Sequence, residues 1–226
     1  MQKYSLYARM LSQPHLLIAG ATGSGKSVLE NNLIYTALQQ GPDRIQFVFI
    51  DPKKVNLAKF AALPHCIAHA DNKRDILTAL EWIRCEMDRR FQDMKAAKIE
   101  DYDGPHIYVF VDELMDIITT YPKAARDNIQ YIAQVGRAAR VHCIVCTQSP
   151  IRQILPTSIK CNFDARIALR TRSAQDSRNI LDFNGAEKLP RFGKGIYFDP
   201  DTPPAVYNIP MIPTDEIQRV IRLWTG

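Results

Sequence analysis

Residues 20–27 read Gly20-Ala21-Thr22-Gly23-Ser24-Gly25-Lys26-Ser27, a full G-x-x-x-x-G-K-[ST] pattern. These residue types at this spacing can hold a polyphosphate. The glycines let backbone N–H groups turn inward around phosphate oxygens with no Cβ in the way. Lys26 can reach the β- and γ-phosphates of a nucleotide, and the Ser27 hydroxyl can hold Mg²⁺. With Val28 one residue further on, Gly20 to Val28 form the candidate nucleotide-binding set. A second chemical feature is Asp112-Glu113, directly after the apolar run Ile107-Tyr108-Val109-Phe110-Val111. A carboxylate at Asp112 can hold Mg²⁺ directly or through water, which makes Ser27 and Asp112 the candidate metal ligands. Glu113 can orient and deprotonate an attacking water, so it marks hydrolysis rather than binding alone. Thr147-Gln148 is a third feature, because an amide there can touch both a γ-phosphate and the water. Lys26, Glu113 and Gln148 are therefore candidate catalytic residues.

These groups need elements to carry them. His15–Ala19 is a short apolar run suited to a buried parallel strand, and Ser27–Gln40 has apolar residues at helical spacing, ended by Gly41-Pro42. A strand, a glycine loop and a helix N-terminus place an anion where free N–H groups and the helix dipole favour it. Ile45–Asp51 reads as a second strand and 73–98 as a long helix with Ile76, Leu80, Ile83, Met87, Phe91 and Met94 on one face. Asp101–Pro105 breaks that helix, and Ile107–Val111 is a strand. The pattern further predicts a helix over about 124–138, strands at 142–146 and 165–170, and a helix at 173–181. A closing strand pair is expected at 194–198 and 205–209, then a helix at 215–224 with Thr214 as N-cap. Alternating strands and helices imply the α/β class, with a mostly parallel sheet covered by helices on both faces. Ligands then gather at the carboxyl edge of the strands, where Gly20–Ser27, Asp51, Asp112-Glu113 and Thr147-Gln148 all fall. Asp51-Pro52-Lys53 reads equally as a nucleotide- or subunit-facing group and as a structural turn.

The chain has 226 residues, 46% hydrophobic and 23% charged, as for one ordinary α/β domain over 1–226. No apolar stretch approaches the roughly 20 residues of a membrane span, and Met1–Ser5 leads into no signal-peptide core. The expectation is a cytoplasmic protein without membrane insertion. Its five cysteines are an odd number, which argues against a disulfide framework. Cys143 and Cys146 form C-x-x-C inside a strand, where their side chains should point to opposite faces as core residues. The net charge of +5 is uneven: net −1 over 1–122, +8 over 123–194 and −2 over 195–226. The basic segment reads equally as a phosphate-backbone track and as a solvated face or a source of inter-subunit salt bridges. Hydrolysis also needs positive charge on the γ-phosphate, and Arg137, Arg140 and Arg178 flank the core strands.

Four stretches together resemble the FtsK/SpoIIIE DNA translocases of the HerA–FtsK group. They are Pro14–Ser27; Ile50-Asp51-Pro52-Lys53; Val111-Asp112-Glu113 with Gly136–Gln148; and Asp176–Asp182 with Gly185–Leu189. The resemblance spans about 14–200. It implies a RecA-like P-loop NTPase motor that uses ATP and Mg²⁺ and assembles as a homo-oligomeric ring, usually a hexamer, around double-stranded DNA. Arg137 falls where the family carries an arginine acting in trans, which adds it to the catalytic candidates. The loops after Gln148 and around Arg172–Arg178 fall where the family faces the pore, so Arg152, Lys160, Arg172 and Arg178 are the candidate DNA contacts. The family's usual arginine after Thr-Gln is Ser149 here, and Arg152 stands three residues on. The expectation is a motor with no winged-helix module and no membrane anchor, which fits a stripped motor of a plasmid, phage or conjugative element. Such a motor would translocate or package DNA, with a separate loading protein as a possible partner. The alternative is a secretion-type ATPase that moves or assembles protein substrates.

Overall fold

The computed structural model describes residues 5–226. The first four positions of the N-terminal stretch read above for a leader lie outside the described residues. In chain order the elements are α1 (Ser5–Ser12), β1 (His15–Ala19), α2 (Lys26–Ala37), β2 (Ile45–Ile50), β3 (Cys66–Ala70), α3 (Lys73–Ala97) and β4 (His106–Val111). There follow α4 (Leu114–Thr120), α5 (Pro122–Val135), β5 (Val141–Thr147), α6 (Thr157–Lys160), β6 (Ala165–Ala168) and α7 (Ala174–Leu181). The chain closes with β7 (Lys194–Asp199), β8 (Thr202–Asn208) and α8 (Thr214–Thr225).

One eight-stranded sheet runs β3-β2-β4-β5-β1-β6-β7-β8. β1 to β6 pair in parallel, while β7 is antiparallel to β6 and β8 antiparallel to β7. The central strands are buried on both sides, so alternate residues feed two cores. Leu17, Val48, Val109 and Val145 lie in one core, beneath α3, α4, α5 and α7. Leu16, Phe47, Phe110 and Ile144 lie in the other, beneath α1, α2 and α8. Cys143 and Cys146 fall in opposite cores and both are free thiols, as strand alternation requires. Among the described residues, no helix is long and apolar enough to cross a membrane.

Several boundaries differ from expectation, each for a local reason. α2 begins at Lys26 and is over by Ala37, where a Leu38 backbone bond to Ile34 closes the last turn. The helix expected over 124–138 is α5, which starts earlier because Pro122 takes the first helical position, and ends at Val135. At Gly136 an added Cβ would sit 2.5 Å from both Ile132 O and Val141 O, so the chain turns tightly there. β6 ends at Ala168 rather than Arg170, because Ala21 N–H bonds to Arg170 O and draws that backbone into the glycine loop. Thr214 is not an N-cap: Pro213 occupies the cap position, and Thr214 is the first helical residue. The elements α1, β3, α4 and α6 carry too few residues or too mixed a pattern to stand out in the sequence. β3 is an edge strand whose residues are mostly half-exposed, so it shows no apolar run.

Candidate functional site

The carboxyl ends of β1, β2, β4 and β5 converge on one edge of the sheet. β5 lies between β1 and β4, so Thr147-Gln148 emerges between the glycine loop and Asp112-Glu113. Gly23 and Gly25 adopt φ of +71° and +103°, conformations that L side chains rarely adopt, and the pattern's glycines are therefore structural needs. Gly20 is closed in differently: an added Cβ would sit 2.7 Å from Ser24 Oγ and 2.9 Å from Leu169 Cβ. Gly25 is the N-cap of α2, and no side chain caps the first turn. Its orphan N–H groups are thereby left for an anion.

Lys26 is buried and donates to Gly20 O at 2.8 Å and Ala21 O at 3.0 Å. Burial lowers its pKa, opposed by the nearby Glu113 and Glu30 carboxylates. Thr22 Oγ1 donates to Gln148 Oε1 at 2.6 Å, tying the loop to the end of β5. Gln148 N–H in turn donates to Glu113 Oε1 at 3.2 Å, and Met115 N–H donates to the same oxygen at 3.3 Å. Glu113 is fully buried, and its other oxygen faces Lys53 Nζ at 3.4 Å. Lys53 also lies 3.6 Å from Asp116. Burial works against its charge, but these two carboxylates raise the Lys53 pKa on balance. The Asp51-Pro52-Lys53 turn is therefore both structural and site-facing. Asp51 accepts the N–H groups of Asn56 and Leu57, while Lys53 reaches Glu113.

Behind the loop is a buried polar group that the sequence reading missed. Asn56 Nδ2 donates to Glu30 Oε2 at 2.7 Å and to Asp112 Oδ1 at 3.2 Å, so one amide links α2 to the end of β4. Burial, with Asp112 alongside, pushes the Glu30 carboxyl well above the usual range. A charged residue at Glu30, between Leu29 and Leu33 on a helix, was the available signal. Nothing in the local pattern marks Asn56, because its role depends on where the β2–β3 loop folds back.

Mg²⁺ commonly keeps waters and takes one or two carboxylates together with substrate phosphate oxygens. Among the described residues no group of three or more His, Cys, Asp or Glu side chains is arranged to hold a metal. The half-buried Asp112 and exposed Ser27 fit an ion that draws its remaining ligands from phosphate and water.

Arg137 does not join this cluster. It is exposed in the turn before β5, at the opposite edge of the sheet. There it lines a cavity of about 550 Å³ with His15, His106, Arg140 and His142. Among the described residues it has no carboxylate within 4.0 Å. Arg152, Lys160 and Arg178 line another cavity, of about 560 Å³, together with Arg166 and Asp182. Asp182 pairs with Lys160 at 2.6 Å and Arg166 at 2.8 Å, leaving Arg152 and Arg178 as the exposed cations of that surface. Arg172 is exposed on the loop before α7, outside this cavity.

Comparison with known proteins places this arrangement in context. The model of the FtsK/SpoIIIE family matches residues 3–106. A DNA translocase FtsK of Mycobacterium tuberculosis is 35% identical over 215 residues, covering 84% of this chain and 26% of that protein. The chain thus spans about a quarter of the length of the curated relatives it matches. Among solved structures, the cytoplasmic domain of the Thermomonospora curvata type VII secretion ATPase EccC superposes with TM-score 0.83 at 25% identity. It covers 94% of this chain and 28% of that one. The pCW3 conjugation coupling protein TcpA, solved with ATPγS, superposes with TM-score 0.80 at 18% identity. It covers 95% of this chain and 66% of that one. The fold is that of P-loop ATPase domains.

Proposed function

Because the chain belongs to the FtsK/SpoIIIE family, we propose that it is an ATP-hydrolysing motor that moves double-stranded DNA through a ring of identical subunits. The observation that carries the reading is the linked edge Thr22–Gln148–Glu113–Lys53, which ties the phosphate loop to a buried carboxylate through side chains and one backbone N–H. Gly20 to Val28 would wrap the triphosphate, with Lys26 leaving its two carbonyl partners for phosphate oxygens. Mg²⁺, held by Ser27 and Asp112, would neutralise charge on the β- and γ-phosphates. Glu113 takes the proton of the attacking water, and Lys53 and the two N–H groups fix its orientation. Gln148, bonded to Thr22, is placed to respond to the loop's occupancy.

Arg137 supplies positive charge to a neighbouring subunit's nucleotide. The support is its position at the sheet edge away from its own loop, which a ring would turn toward the next subunit. Arg152, Arg172 and Arg178 contact the DNA backbone, while Lys160 acts in a pair with Asp182. A hexamer and a cytoplasmic setting complete the reading, the latter favoured by five free cysteines.

The test is steady-state ATP hydrolysis with and without linear double-stranded DNA at low and moderate salt. Several-fold stimulation that fades with salt is expected, because phosphate contacts release counterions. Robust hydrolysis indifferent to DNA would favour the second reading, a secretion-type ATPase acting on protein. The likeness to EccC gives that reading its support.

A further inference from the structure

The loop that leaves β2 is held by buried polar contacts. Asp51 is fully buried at its start, and Asp51 Oδ2 accepts Asn56 N–H at 3.0 Å and Leu57 N–H at 2.9 Å. Lys54 N–H bonds back to Asp51 O at 3.0 Å, and Lys54 takes φ +59°, the left-handed region that favours glycine. A non-glycine residue keeps such a conformation where surrounding contacts over-determine it, often near functional sites. Leu57 closes the loop, fully buried in the core beneath α1, α2 and α8. The backbone is thus fixed on both sides of the Asn56 side chain, which sets the direction of its amide.

The amide points between two carboxylates. Asn56 is buried, and its Nδ2 donates to Glu30 Oε2 at 2.7 Å and to Asp112 Oδ1 at 3.2 Å. An amide nitrogen carries two hydrogens, one for each carboxylate. Turned over, the amide would set its own oxygen against both carboxylates, so the two acceptors decide its orientation. Glu30 stands one turn beyond Lys26, on the helix that opens at the phosphate loop. The same β2–β3 loop sends Lys53 to Glu113 at 3.4 Å. One loop therefore holds both acidic residues at the end of β4.

We propose that Asn56 is a positioning residue for Asp112: its amide, anchored on Glu30, fixes the carboxylate that takes Mg²⁺ beside Ser27. The proposal rests on the reading of Asp112 as the metal carboxylate and adds the group that orients it. Partners bonded to a ligating carboxylate hold it in place, and their loss weakens metal binding. A neutral donor suits this place. It satisfies an oxygen of each carboxylate, and it leaves intact the negative charge that attracts the ion.

Calorimetric titration of the full chain with ATPγS, in excess Mg²⁺ and again in EDTA, reads the ion's share of binding as the ratio of the two affinities. Wild type is expected to bind more tightly with Mg²⁺. Asn56→Ala should lower the ratio by about tenfold and leave the affinity in EDTA unchanged. Asn56→Ser keeps one donor and should fall less; it carries the test if the alanine variant does not fold. Glu30→Gln keeps an acceptor oxygen for the Asn56 amide, so its ratio should stay near that of wild type. An unchanged ratio in the folded Asn56 variant would overturn the proposal. So would an equal loss with Mg²⁺ and in EDTA, since the loop would then serve the fold alone. A Glu30→Gln ratio as low as that of Asn56→Ala would remove Glu30 as the anchor. If wild type binds equally well in both conditions, the metal reading of Asp112 fails and the proposal with it, while the phosphate-loop reading stands. Binding in neither condition would sink the loop reading itself and everything built on it.

Discussion

The position of Arg137 makes a quantitative prediction about mixed assemblies. Arg137 lies just before β5, whose seven residues run from Val141 to Thr147 at the site edge. At about 3.3 Å per residue that strand is roughly 20 Å long, farther than an arginine side chain extends, so Arg137 cannot serve the loop of its own subunit. Arg137→Ala should leave nucleotide binding intact and lower hydrolysis about 10³-fold. Being exposed and, among the described residues, without an ion pair, the residue should change stability by no more than about 0.5 kcal/mol on truncation. Lys26→Ala should abolish nucleotide binding and leave Arg137 in place. In a random one-to-one mixture, half of the subunits carry an intact loop, and half of their neighbours carry the arginine. About a quarter of the interfaces are then complete in a closed head-to-tail ring. With interfaces firing independently, the mixture should recover to about a quarter of wild-type hydrolysis, from parents that are each nearly inactive. Single-turnover ATP hydrolysis across a series of mixing ratios, with ring formation followed by sedimentation, is the assay. A mixture that forms rings yet never exceeds its parents would refute action in trans.

Three further outcomes follow from the geometry. Glu113→Gln should bind ATP and hydrolyse it about 10²- to 10⁴-fold more slowly; its amide oxygen can still accept the Gln148 and Met115 N–H groups, so thermal stability should hold, and normal turnover would remove Glu113 from its role. Lys53→Ala should reduce kcat with little effect on ATP affinity, because Lys53 touches Glu113 and not the loop; an unchanged kcat would make the pair merely structural. Stability should fall as the solution is acidified. Burial pulls His15 down to about 3 and His142 to about 4, so both are neutral when folded. Unfolded, they take up protons near pH 6.5, and below that pH the unfolded state binds more protons than the native one. Stability from these groups is therefore complete above pH 6.5 and lost toward pH 4, by about 2 kcal/mol per histidine at pH 5. Thermal melts at pH 7.5 and 5 should show the drop, and His142→Gln should lessen it; equal drops in both proteins would exclude His142 as a source.

The candidate site residues were legible in the chain because they sit in local motifs. The glycine pattern needs its spacing to let φ become positive at Gly23 and Gly25 and to open the start of α2. Asp112-Glu113 and Thr147-Gln148 announce themselves at the ends of apolar runs, and an alternating strand–helix order sends all such ends to one edge. Local periodicity sufficed equally for α3 and for the central strands. It failed at β3, α1, α4 and α6, where edge exposure, brevity or a mixed pattern leaves no period to detect. What only the tertiary structure decided was who meets whom. Strand order put β5 between β1 and β4, and so brought Gln148 to both Thr22 and Glu113. A folded-back loop carried Asn56 to Glu30 and Asp112, residues 26 and 56 positions away from it. Lys53 found Glu113 across 60 residues, and Arg137 was sent to the far edge from its own loop. Hydrogen-bond and charge partners distant in sequence depend on sheet order and loop path, and those are fixed by burial across the whole chain rather than by any segment of it.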